Sequence, residues 1–166
     1  VSIAATAIKQ QIVTLMKANS AHNSVNLFLK GTPYKVPTQY YPICIVAIVS
    51  ESTVGRMTGN KHEREYAGII EFETLIQDIW MSSISNREVV VPSAATIDTL
   101  VQATIALFKT TSNQRLGNLS VTGGAVDEFI IGEQAEYGVE PSVDRPDSLN
   151  NFATIPFVCR TLETFS

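Results

Sequence analysis

Glu71 and Glu73 stand two residues apart in a segment that alternates polar and apolar residues, which puts both carboxylates on one face of a strand. Paired acids can do general acid–base work when their surroundings push their pKa values apart. The opposite side of the segment carries Tyr66, Ile70, Phe72 and Ile76 and must enter a core. The two glutamates are therefore expected in solvent or against another subunit. His62-Glu63, with Glu65, is the nearest approach to metal-ligand spacing in the chain. Both histidines, His22 and His62, fall in polar, loop-like stretches and are expected to be solvated there. Cys44 and Cys159 lie in apolar strand-like runs and read as buried thiols, whose surroundings raise the thiol pKa rather than activate it. A disulfide between neighbouring strands remains geometrically open. No phosphate-binding or dinucleotide fingerprint is formed by Gly117, Gly123 and Gly124, and no G-x-S-x-G elbow occurs. The residues thus nominate no catalytic, cofactor-binding or metal site.

What remains is a surface for interaction. Residues 51–64 are polar, contain two glycines and show no apolar period, so they read as the tip of a long antiparallel hairpin. Arg56, Lys61, His62 and Arg64 are the candidate contact residues of that loop. Glu71 and Glu73 form a candidate inter-subunit strand face. Residues 132–151 make a second long polar excursion, broken by Gly138, Pro141 and Pro146. Excursions of that length in a compact domain are often functional.

The elements that must position these residues follow from periodicity. Ile8, Ile12, Leu15 and Met16 form one stripe of a helix over about 2–19, with Ser2 as N-cap. A short edge strand or helix end is expected at 25–29, then an extended loop over 30–39. Tyr40–Ser50 is apolar on both sides, as a strand covered on both faces would be. Glu65–Gln77 is its half-wet partner, with Gly68 marking a bulge or a close approach. The pattern over 79–91, around Trp80, supports no assignment. Ser93 is placed to cap a second helix, 94–109, with Ile97, Leu100, Val101, Thr104, Ile105 and Phe108 on one face. Two short strands follow, at 119–122 and 126–131. A last strand spans 152–165, and Pro156 argues that its start lies at an edge or a bulge. The expected architecture is a single α+β domain over 1–166: a mainly antiparallel sheet with a long β-hairpin, covered on one face by two amphipathic helices.

Composition narrows the function classes. The chain has 166 residues, 45% hydrophobic and 17% charged, and a formal net charge of -4. A sparsely charged surface suits a subunit packed against neighbours. Scattered basic residues and a negative net charge argue against broad binding to a nucleic-acid backbone. No run approaches the roughly 20 apolar residues of a membrane span, and no signal-peptide pattern opens the chain. It reads as cytosolic in origin.

The order of patterns resembles a known family. A helix leads to a Pro-flanked apolar strand, VPTQYYPICIVAI, then a polar tip and a long alternating strand, REYAGIIEFETLIQDI. A Ser-capped helix follows, and the chain closes on an edge strand, ATIPFVCRTLETF. This resembles the tail terminator, or tail-completion, proteins of long-tailed bacteriophages over most of the chain. The resemblance implies an α+β fold with helices behind a sheet. It also implies a virion protein, made in the host cytoplasm, that forms a homo-oligomer, a hexameric ring, on the last ring of the tail tube protein. Such a ring ends tube growth and offers the surface that joins the head through a head-completion or stopper protein. DNA passes through its channel without sequence-specific binding, and neither cofactor nor catalytic residue is expected. The family's extended hairpin corresponds to Tyr40–Gln77, and the 51–64 loop to the contact with a neighbouring ring or subunit. Residues 132–151 have no place in the family pattern. Other readings are another neck or head-completion connector ring, a small enzyme built on Glu71, Glu73 and His62, and an adaptor that binds one partner through 51–64.

Overall fold

Three strands of 14, 15 and 16 residues run side by side and form the body of the sheet. The structure, a computed structural model, describes residues 3–32, 36–56, 59–76, 92–121, 123–141 and 149–164. In chain order the elements are α1 (Ile3–Ala18), β1 (Leu27–Leu29), β2 (Ile43–Arg56), β3 (Lys61–Leu75), α2 (Pro92–Lys109), β4 (Ser120–Val121), β5 (Gly124–Ile131), β6 (Glu136–Pro141) and β7 (Leu149–Thr164). The seven described strands make one sheet in the order β1-β2-β3-β7-β5-β4, and β6 also pairs with β7. All pairs are antiparallel except β1 with β2. The fold is α+β, as the periodicities require.

Both helices cover one face of the sheet. α1 buries Ala5, Ile8, Ile12 and Met16; α2 buries Ile97, Leu100, Val101 and Phe108. They pack on Cys44, Val46, Tyr66, Ile70, Phe72, Ala153, Ile155, Phe157 and Cys159. Each large side chain so buried contributes about 1.5–3 kcal/mol. Rings of Phe108, Phe129 and Phe157 join α2, β5 and β7, with centroids 5.1 and 5.2 Å apart. On the other face a smaller cluster gathers Val36, Ile43 and Ile45 with Leu27, Leu29 and Tyr41. That is why Tyr40–Ser50 reads as apolar on both sides. α2 begins at Pro92, so Ser93 lies within the helix rather than capping it, and proline at a first helical position needs no N–H partner. Among the described residues no helix is long and apolar enough to cross a membrane.

Three further expectations are corrected. Residues 51–64 are mostly strand: β2 runs on to Arg56 and β3 starts at Lys61, with Glu51 opposite Tyr66, Thr53 opposite Arg64 and Arg56 opposite His62. The pairing is made by the backbone, and side chains in water carry no apolar alternation to announce it. Register shifts leave Val49 and Val54 as extra residues in β2, where bulges bend and twist a strand. The 132–151 excursion contains β6, paired with β7 from Glu136 opposite Thr154 to Pro141 opposite Leu149. Finally, β7 is interior, with β3 on one side and β5 and β6 on the other. Pro156 is tolerated because its missing N–H faces the gap between β5 and β6. There its carbonyl instead accepts from the Gly132 N–H at 2.8 Å. Ser2, residues 57–58, 77–91 and 142–148 lie outside the described residues, so the Ser2 cap and the segment around Trp80 do too.

Candidate interaction surface

The outer half of the β2–β3 hairpin is a strand without a roof. Val49 through Val54 are exposed in succession, so both faces meet solvent, and the two valines are 65% and 51% exposed. β1 covers the outer edge of β2 only at Ile43, Cys44 and Ile45. Lys61 is exposed at the start of β3 opposite Thr164, and Arg56 ends β2 opposite His62. Arg64 reaches Glu51 at 3.5 Å and lies 5.7 Å from the Tyr66 ring centroid. Strand alternation puts His62 and Arg64 on one face and Lys61 on the other, so the four candidate contact residues do not form one basic patch. On Lys61's side, Arg160 bridges Glu65 at 3.1 Å and Glu128 at 3.7 Å.

His62 is not solvated. It is 4% exposed, opposite Glu163 on β7. Beside it, the Tyr66 hydroxyl donates to Glu163 Oε2 at 2.7 Å and the Thr161 hydroxyl donates to the same oxygen at 2.6 Å. His22 is likewise buried, against Thr104 of α2, with Nε2 to Oγ1 at 2.9 Å. The Thr104 hydroxyl hydrogen goes to the Leu100 carbonyl at 2.7 Å, so His22 Nε2–H is the donor and its Nδ1 is left a buried acceptor without a partner. Burial lowers the His22 pKa to about 4. His22 also lines an open depression of about 310 Å³ with Lys17, Asn26 and Phe28.

Glu71 and Glu73 lie on the face away from the helices; the expectation was solvent or another subunit, and it is strand β6 of the same chain that meets Glu73. Glu73 is 8% exposed, and Glu140 of β6 meets it with a hydrogen bond. Thr154 of β7 donates to Glu71 at 3.0 Å. Asn150, 3% exposed, also bonds Glu73 and extends Nδ2 to the Tyr41 hydroxyl oxygen at 3.5 Å. Burial, the bond with Glu140 and the Glu71 charge push the Glu73 pKa up to about 8. Burial also raises Glu71, offset in part by Thr154. Among the described residues no group of three or more acidic, histidine or cysteine side chains is placed to hold a metal ion. The cysteines are free and buried; burial raises Cys44 strongly and pushes Cys159 up to about 12.

Glu140, Asn150, Tyr66 and Glu163 are the site residues that sequence reasoning missed. For Glu140 a signal existed: Glu136, Gly138 and Glu140 alternate with Tyr137 and Val139 at the period of a strand.

No family model matches the chain, and no curated protein matches it in sequence. Among solved structures, a chain from the virion of a native gene transfer agent particle is similar over 98% of this chain and 99% of its own, with 11% identity and a TM-score of 0.49.

Proposed function

We propose that this protein is a structural subunit of a phage-type virion, and that it works as a tail terminator: a ring, expected to be a hexamer, on the head-proximal end of the tail tube. It would end tube polymerisation, present the surface that a head-completion protein joins, and let DNA pass through its channel. The sequence resemblance supplies the role. The observation that carries it on the molecule is the outer hairpin, where Val49–Val54 are exposed on both faces at a strand edge that β1 leaves open. Open edges with exposed apolar residues are places that proteins cover with a partner. Rings form from contacts between two different patches of the same chain, and the sheet offers the β2 edge at one side and β6 at the other. A net charge of -4 suits a wall past which DNA moves without sticking.

The test is assembly. Native mass spectrometry and negative-stain images of the purified chain, alone and with tail tubes, are expected to show rings and capped tubes of fixed length. A chain that stays monomeric at high concentration and never joins tubes overturns the reading.

A further inference from the structure

We propose that Glu73 and Glu140 share one proton across β7, and that this shared proton is a clasp holding the outer strand β6 on the sheet. Glu73 lies opposite Phe152, and Glu140 opposite Asn150, so the two glutamates flank β7 on the same face, one from each side. Glu73 is almost fully covered, and its carboxyl meets that of Glu140. Two carboxylates cannot share that contact while both are charged; one must keep its hydrogen and donate it. Asn150 lies on β7 between the two strands, opposite Glu140. Its amide also bonds Glu73 and offsets the rise in pKa in part, while burial, Glu140 and Glu71 outweigh it.

No cation among the described residues takes the proton's place. Among the described residues, the titratable groups facing the pair are Glu71 on β3, Glu136 on β6 and the Tyr41 hydroxyl. β2 contributes only Ile43 and Ile45 on this face, and Cys44, on the opposite face, feels the Glu71 charge. Every such described side chain is acidic, and each added negative charge strengthens the hold on the proton. Among the described strands β6 pairs with β7 alone. It displays Tyr137 and Val139, both exposed, beside exposed Leu149. The clasp therefore sets how firmly that apolar strip is presented. It stands independently of the virion role.

The sign follows from the raised carboxyl. The Glu73 pKa is raised to about 8 when β6 is docked, and it falls from there towards the ordinary range when β6 and Glu140 leave. Docking is strongest at low pH, weakens by as much as tenfold per pH unit as pH rises towards about 8, and is level above that.

Hydrogen–deuterium exchange of the full chain from pH 5.5 to 9.5, corrected for intrinsic rates, reads this directly. The opening constant of the β6 amides is expected to rise up to about tenfold per pH unit and then level near pH 8, while that of the β5 amides stays flat. Glu73→Gln keeps a donor that does not titrate and is expected to flatten the β6 profile. Glu140→Gln, at an exposed position, removes the neighbouring charge and is expected to move the levelling point to lower pH. A flat β6 profile in the unmodified chain overturns the clasp, as does the same profile in Glu73→Gln. Should Glu73→Gln not fold, an unmoved levelling point in Glu140→Gln overturns it.

Discussion

The Tyr66 hydroxyl donates to Glu163 Oε2 at 2.7 Å, joining the middle of β3 to the end of β7 in a place closed to water. Thr161 makes the second bond to the same oxygen. Tyr66→Phe leaves that buried oxygen one donor short. The expected loss is about 1–3 kcal/mol of unfolding free energy, measured by urea denaturation.

Gly68 has no room for a side chain. A β-carbon there would collide with the Ala47 carbonyl and the Phe157 ring. Gly68→Ala is expected to destabilise by about 1–3 kcal/mol or more. Phe157→Leu in the same chain should not restore stability, because the Ala47 carbonyl belongs to the backbone and stays. Thermal melts of the single and double variants decide this.

His22 makes the fold sensitive to acid. Its pKa is lowered to about 4 from an ordinary value of 6.5, so its neutral form is the one that fits. The stabilisation is full above pH 6.5 and is lost as pH falls towards 4, up to about 3 kcal/mol for a shift of that size. His22→Asn is expected to be less stable at neutral pH and to lose less between pH 7 and 4.5. Parallel denaturation curves at the two pH values check it.

Val49 and Val54 touch solvent on an open strand, so charge there should spare the fold and harm assembly. Val49→Asp with Val54→Asp is expected to change monomer stability by no more than about 0.5 kcal/mol per site. The same variant is expected to lose rings in negative stain. Intact rings would show that this edge is not the contact.

Sequence alone made the helices and inner strands readable because their partners lie on the same element: Ile8 with Ile12, Leu100 with Thr104, Ile43 beside Cys44. Gly68 was legible as a bulge or a close approach, and a close approach to Ala47 and Phe157 is what it makes. The outer hairpin was not, because strand pairing between Thr53 and Arg64 leaves no apolar trace. Nor were the histidines. His22 is buried by Thr104 and His62 lies opposite Glu163, and those partners sit about eighty to a hundred residues away, beyond any local pattern. The Glu71–Glu73 pair was visible, but Glu140, which gives it its character, comes from a segment whose polar composition hid a strand.

β7 is the rail on which three other strands are hung: β3 along its whole length, β5 and β6 end to end on the far side. It is also the last described strand in chain order. During synthesis, then, the sheet has no middle until residues 149–164 emerge, and distant pairings of this kind form slowly. A nascent chain would hold its hairpin in waiting, with two unfinished edges, until one late segment closes both at once.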